Sequence, residues 1–249
     1  MLEEALSQAF WVGLAKIIGV NIILSGDNAV VIALAARSLP ARQQKQAIFW
    51  GAGAAIILRI ILTLFAVALL TLPVLRLVGG VLLFWIGIKL LVPEDDEADI
   101  AASEHLLTAI KTILIADLVM SLDNVIAVAA AAGGSVVLLV LGLAISIPLV
   151  IFGATLLIKL MERFPVIITI GAALIGWVAG EMMATDRILA SWLTALGAVY
   201  KDDKPYFGAV SLELVAGVVG IIVVVAVGKW LARRQESGAA SQQGAEASK

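Results

Sequence analysis

The chain has 249 residues, is 62% hydrophobic with a mean hydropathy of +1.08, and carries only 14% charged residues. This excludes an ordinary soluble domain and reads as an all-α polytopic membrane protein. A net charge of -2 excludes a nucleic-acid partner, and zero cysteines exclude disulfides, thiolate metal sites and a cysteine nucleophile; a single histidine argues against a His-based zinc site.

At about 20 apolar residues per span, seven transmembrane helices are predicted, at about 11–36, 46–69, 72–92, 107–132, 135–158, 166–184 and 209–231. The first apolar run continues past signal-peptide length, and Glu3 and Glu4 stand where a cleavable signal would have basic residues. Residues 185–207 set Trp192, Tyr200 and Tyr206 beside Asp202, Asp203 and Lys204, which suits an interfacial helix plus a loop in the headgroup region. Residues 1–232 thus read as a single transmembrane domain, and 233–249, rich in Ser, Gln, Ala and Gly, as a disordered cytoplasmic tail. Basic residues gather in the first loop (Arg37, Arg42, Lys45), the fifth (Lys159, Arg163) and the tail (Lys229, Arg233, Arg234). In a cell membrane this bias places the N-terminus outside and the C-terminus in the cytoplasm. The third loop is then cytoplasmic. Its acidic run (Glu94, Asp95, Asp96, Glu97, Asp99, Glu104) reads as a solvated surface that would also gather cations.

One pattern occurs twice at a fixed offset. Asn21-Ile-Ile-Leu-Ser25-Gly26-Asp27-Asn28 in span one returns as Asp117-Leu-Val-Met-Ser121-Leu-Asp123-Asn124 in span four, 96 residues later. Each repeat unit, about 10–92 and about 106–184, therefore has three helices. An odd number reverses direction, so the units are inverted, with the seventh helix appended. Inverted repeats around a midplane site are a transporter signature.

An ionised carboxylate at a helix centre costs about 2.5–3.5 kcal/mol on insertion scales. Asp27, Asp117 and Asp123 should therefore face each other, a wet cavity or a cation. At helical spacing Asn21, Ser25 and Asn28 form one polar stripe, and Asp117, Ser121 and Asn124 form its match. Gly26 would let span one unwind and offer backbone carbonyls. Carboxylates, amides, hydroxyls and carbonyls make a hard oxygen site, suited to Mg2+, Ca2+ or Mn2+. Helix–helix adhesion through these polar groups is the alternative use.

The doubled motif resembles the TerC family of integral membrane proteins, and more closely its small YjbE-type branch without appended domains. Ala109-Ile110-Lys111-Thr112-Ile113 and Gly176-Trp177-Val-Ala-Gly180-Glu181-Met182 fit that branch too. The resemblance covers about residues 10–232. It implies a seven-helix metal-ion transporter, with Mn2+ efflux as its role and metal-stress or metal-supply roles in some relatives. Carried onto this chain, the implied metal ligands are Asp27, Asn28, Asp123, Asn124, Asn21 and Asp117. Larger relatives carry Glu where this chain has Asn21.

Arg59, mid-span in Ile56-Ile-Leu-Arg59-Ile-Ile-Leu, must face inward and reads as a counter-charge to the acidic site. Lys89 at the end of span three reads as an interfacial snorkeller. Glu181 and Asp186 lie near the outer end of span six, as vestibule groups or solvated ends. Trp11, Trp50 and Trp230 read as belt anchors.

The combined expectation is a divalent-cation exporter, not an enzyme, working by alternating access between the three-helix units. Moving a 2+ charge outward against a negative-inside potential is opposed by about 4.6 kcal/mol per 100 mV, at 2.3 per charge. A steep ion gradient or proton exchange at an aspartate would have to drive it. Mn2+ enters as transported substrate and no organic cofactor is expected. The expected partners are the metal ion, protons as counter-ion and the bilayer, with self-association left open by the Gly/Ala-rich spans. A non-transporting accessory protein for metal supply or metal and tellurite stress is the alternative. An intramembrane aspartyl protease is remote: Ser25-Gly26-Asp27 only loosely resembles its Gly-x-Gly-Asp, and no Tyr-Asp exists here.

Overall fold

The computed structural model describes residues 8–65, 74–92, 102–201 and 204–246. The acidic stretch from Glu94 to Asp99 and the pair Asp202 and Asp203 lie outside these residues. Asp123 and Glu104 are described as positions on a helix, without their side chains.

Nine helices and a small sheet occupy the described residues, in the order α1 (Gln8–Leu24), α2 (Gly26–Ala36), α3 (Ala41–Leu64), α4 (Leu75–Leu91), α5 (Ala102–Ala132), α6 (Val136–Arg163), α7 (Val166–Ala184), α8 (Arg187–Ala195), β1 (Val199–Lys201), β2 (Lys204–Phe207), β3 (Val210–Ser211) and α9 (Leu212–Glu246). Five of these helices are long and apolar enough to cross a membrane, and α1 with α2, bent by 49°, makes a sixth if the pair is one broken span. The third predicted span is seen as α4, whose 17 residues reach about 25 Å at 1.5 Å per residue.

The chain divides into two compact units: Met1–Arg76 with Asp99–Pro165, and Leu77–Ala98 with Val166–Lys249. Each unit draws helices from both predicted repeats, so the compact bodies cut across the three-helix units rather than following them.

In the first unit, Ile17, Ile56, Val128, Ala132, Leu139 and Leu143 knit α1, α3, α5 and α6 into one apolar core. Small residues let these helices approach. A Cβ on Gly142 would overlap the Ile17 side chain, and one on Gly51 would lie 2.8 Å from Ile113 Cδ1. Gly133 and Gly134, at φ 56° and 84°, turn the chain between α5 and α6. Ser135 then caps α6, its hydroxyl accepting the Leu138 N–H at 3.3 Å. Pro148 lies inside α6, and the Ser146 hydroxyl donates to the Gly142 carbonyl at 2.9 Å.

In the second unit, α7 and α9 cross at backbone contact. A Cβ on Gly180 would collide with the Ala216 carbonyl, and one on Gly176 would sit 2.5 Å from the Gly220 oxygen. Such small-residue crossings replace hydrophobic drive where lipid is as apolar as the side chains. Asp186 is buried, and its carboxylate accepts the Ile188 N–H at 2.9 Å and the Leu77 N–H at 2.7 Å. It caps α8 and the first turn of α4, which corrects its reading as a vestibule group or solvated end.

Two further expectations change. The segment expected to be a loop after the interfacial helix forms a three-stranded antiparallel sheet, β1-β2-β3. The tail expected to be disordered continues α9 as far as Glu246; its alanines and glutamines favour helix once an apolar segment has nucleated it. Trp11, Trp50 and Trp230 are exposed on the helix surfaces.

Candidate ion-binding site

The first motif straddles the break between α1 and α2. Ser25 is the hinge residue, at φ −112° and ψ 5°. The α-helical ladder weakens there: the Ser25 N–H turns to the Ile22 carbonyl at 3.4 Å. A helix that stops leaves carbonyls without intrahelical partners. One is recovered from across the unit, where the Asn124 side-chain amide donates to the Leu24 carbonyl at 3.1 Å. The second motif thus touches the break in the first. The second copy does not break: α5 runs unbroken from Ala102 to Ala132. Leu122 stands where the first copy has Gly26, and leucine supports a helix that glycine weakens.

Asp27 and Asn28 open α2, immediately after the break. The Asp27 carboxylate accepts the Asn28 N–H at 2.8 Å, and an acid in a first turn is favoured by the helix dipole. Asn28 is 3% exposed, and among the described residues neither its carboxamide oxygen nor its nitrogen has a partner. Buried polar groups are almost always bonded, so an orphaned amide in such a motif calls for an explanation.

Asn21, Ser25, Asp117 and Ser121 sit differently. All four bond to Arg59 of α3. Its Nε–H donates to Ser121 Oγ at 3.0 Å, and its Nη1 donates to Asn21 Oδ1 at 2.7 Å and Ser25 Oγ at 2.9 Å. Its Nη2 forms a salt bridge with Asp117. The same residues bond among themselves, Ser25 Oγ to Asn21 Oδ1 at 3.1 Å and Ser121 Oγ to Asp117 Oδ2 at 3.2 Å. Thr63 anchors the arginine's own backbone, donating to the Arg59 carbonyl at 2.7 Å. Arg59 and Asp117 both lie within electrostatic reach of Asp27.

The predicted polar residues of the first unit therefore sort into two groups. Asp27 and Asn28 open α2, with Asn124 bonded to the break they follow. Asn21 and Asp117, with Ser25 and Ser121, clasp Arg59. Asp123 lies on α5 one residue before Asn124, its side chain outside what is described. Among the described residues no three acidic, histidine or cysteine side chains gather as a metal centre. What the Asp27 group offers is a carboxylate, carboxamide oxygens and backbone carbonyls, the donors preferred by hard divalent cations.

The remaining two candidates belong to the second unit. Lys89 is exposed in the last turn of α4, with Nζ 5.6 Å from the Trp85 ring centroid. Glu181 lies in the last turn of α7, within hydrogen-bonding reach of Glu213 on α9. Lys204 of β2 donates to the Glu213 carboxylate at 2.8 Å, and that bond holds its ammonium above the ordinary value of 10.5. The sequence carries no cue to the Lys204–Glu213 pair, because β2 and α9 come together only once the strands between them have paired. The link from Asn124 to Leu24 was equally hidden, since it uses a backbone atom.

Comparison with known proteins agrees with the geometry. Residues 6–236 match the integral membrane protein TerC family. The chain is 44% identical to the "Uncharacterized membrane protein YjbE" of Bacillus subtilis (strain 168), over 76% of this chain and 87% of that protein. It is 26% identical to the "Uncharacterized membrane protein YkoY" of the same organism, over 94% of this chain and 76% of that protein. No solved structure matches the chain. With the doubled Ser-x-Asp-Asn motif and five helices long and apolar enough to cross a membrane, these matches make the chain a multi-pass membrane protein that belongs to the TerC family.

Proposed function

We propose that this protein moves a divalent cation across the membrane, with Mn2+ as the first substrate and the cytoplasm as the side of origin. The ion is held where α1 stops and α2 begins. The observation that carries this reading is Asn28: a buried carboxamide without a partner, in the first turn after a helix break, beside an aspartate. A broken span that offers half-helix ends at a polar site is how many secondary transporters hold ions.

Asp27 supplies charge, and Asn28 and Asn124 supply neutral oxygens. Asn124 offers its oxygen to the ion while its nitrogen holds the Leu24 carbonyl. Asp123 is assigned as the second charged ligand from the repeat. Two carboxylates balance one divalent ion. Outward movement is opposed by the membrane potential, so flux follows either the ion gradient or an exchange for protons at the aspartates.

The test is Mn2+ uptake into proteoliposomes, with Ca2+, Mg2+ and Zn2+ in parallel and an imposed pH gradient. Flux that is lost in Asp27→Asn, while the variant still folds, supports transport at this site. No flux of any ion from correctly folded protein would leave the accessory reading.

A further inference from the structure

Both copies of the motif place an acceptor and a hydroxyl one helical turn apart: Asn21 with Ser25, and Asp117 with Ser121. Repeat logic makes all four candidates for the ion. The structure gives them another partner. Arg59 is 3% exposed, and its three guanidinium nitrogens take up four acceptors from those residues. Each acceptor is used again within the cluster. Asp117 bonds Arg59 through Oδ1 and Ser121 through Oδ2, while Asn21 Oδ1 receives both Arg59 and Ser25. A guanidinium keeps its charge in proteins, and one held by this many bonds from two helices is a fixture.

We infer that Arg59 is a resident cation of the transport site, that Asp117 is its counter-ion rather than a ligand of the moving ion, and that the pair sets the charge the ion meets. The inference rests on the transport reading above. A closed Arg–Asp pair presents a dipole and no net charge. Of the described carboxylates in the two motifs, Asp27 is then the one left for the moving ion. Arg59 also bonds Ser25, two residues before Asp27, so breaking the pair changes the field where the ion is held. Arg59 and Asp117 are thus positioning residues for charge, and the broken repeat symmetry has a use. The i and i+4 positions of the motifs hold the fixed cation, and the Asp-Asn ends are left for the mobile one.

The test compares Mn2+ flux by the full chain in proteoliposomes for wild type, Asp117→Asn, Arg59→Met and the double variant. Asp117→Asn leaves an uncompensated guanidinium beside the site. It should raise KM about tenfold or more, since a unit charge roughly 10 Å from a divalent ion at an effective dielectric near 20 suffices for that. The maximal rate should change less. The double variant is neutral and should return KM to within about threefold of wild type, a change worth well under one decade. A side chain that bonds the ion cannot be removed without loss, so a double variant as weak as Asp117→Asn overturns the inference. If neither single variant folds, the double variant against wild type decides the same question. Absence of flux in wild type would remove the transport reading and this inference together, an outcome distinct from a KM that fails to recover.

Discussion

Asn28→Ala is expected to stabilise the protein while removing its response to ions. The native carboxamide is buried and both of its polar atoms lack partners. An unsatisfied buried polar group costs about 1–3 kcal/mol. Alanine removes that cost and adds about 0.5 kcal/mol of helix propensity. Against this stands the packing of three lost heavy atoms, about 1 kcal/mol for so small a change. The balance is a gain of about 0.5–2.5 kcal/mol without ions, or about 1–10 °C in Tm at 2–4 °C per kcal/mol for a chain of this size. A divalent ion at about one hundred times its Kd should add about 2.7 kcal/mol to wild type and little to the variant. Thermal unfolding of purified protein in detergent, with and without Mn2+, reads both effects. A variant that is less stable than wild type without ions, and is stabilised by Mn2+ as strongly as wild type, would refute the role given to Asn28.

The other predictions concern the frame. Gly180→Val drives a side chain into the Ala216 carbonyl at the α7–α9 crossing, so overpacking of about 1–3 kcal/mol or more is expected, seen as lost monodisperse protein on size exclusion. Asp186→Ala removes the acceptor for two helix-end N–H groups; at about 1 kcal/mol per cap, Tm should fall although the residue is remote from the motif in sequence. Asp117→Asn alone leaves Arg59 buried and unpaired, and a cost of about 3–5 kcal/mol is expected; the double variant with Arg59→Met should recover most of it in the same unfolding assay. Lys204 is raised above 10.5 by its bond to Glu213. A raised folded value means its contribution is fully present below 10.5 and is lost as pH rises through the folded value. The lysine side chain is 49% exposed, so screening limits the effect to about 0–1 kcal/mol. Lys204→Met should therefore cost a small amount of Tm at about pH 9, still below the lysine's titration, and a variant more stable than wild type there would contradict the pairing.

Much of the fold was legible in the chain because the bilayer imposes a local rule. A backbone that cannot bond to lipid must bond to itself, so apolar length alone marked the span seen as Val166–Ala184 and came within a few residues of Val136 and of Ala132. The break just before Gly26 was legible for the same local reason, since glycine weakens a helix wherever it stands. The segment after α8 was not. Its strands exist only by pairing with one another, and short strands carry no signal of their own.

At the site, sequence alone determined which residues are costly to bury and therefore cannot face lipid: Asp27, Asp117, Asp123, Arg59 and the amides around them. It determined too that two copies of one motif should meet. Tertiary structure decided which of these charges answers which. The repeat makes Asn21 equivalent to Asp117 and Ser25 to Ser121, and nothing along the chain says that both pairs turn toward an arginine on a third helix. That choice depends on where α3 packs against α5 and α6, in the apolar core that Ile17, Ile56 and Val128 share. Those contacts are non-directional and depend on shape across segments far apart in sequence, so the sorting of ligands from counter-ions appears only when the helices are in place.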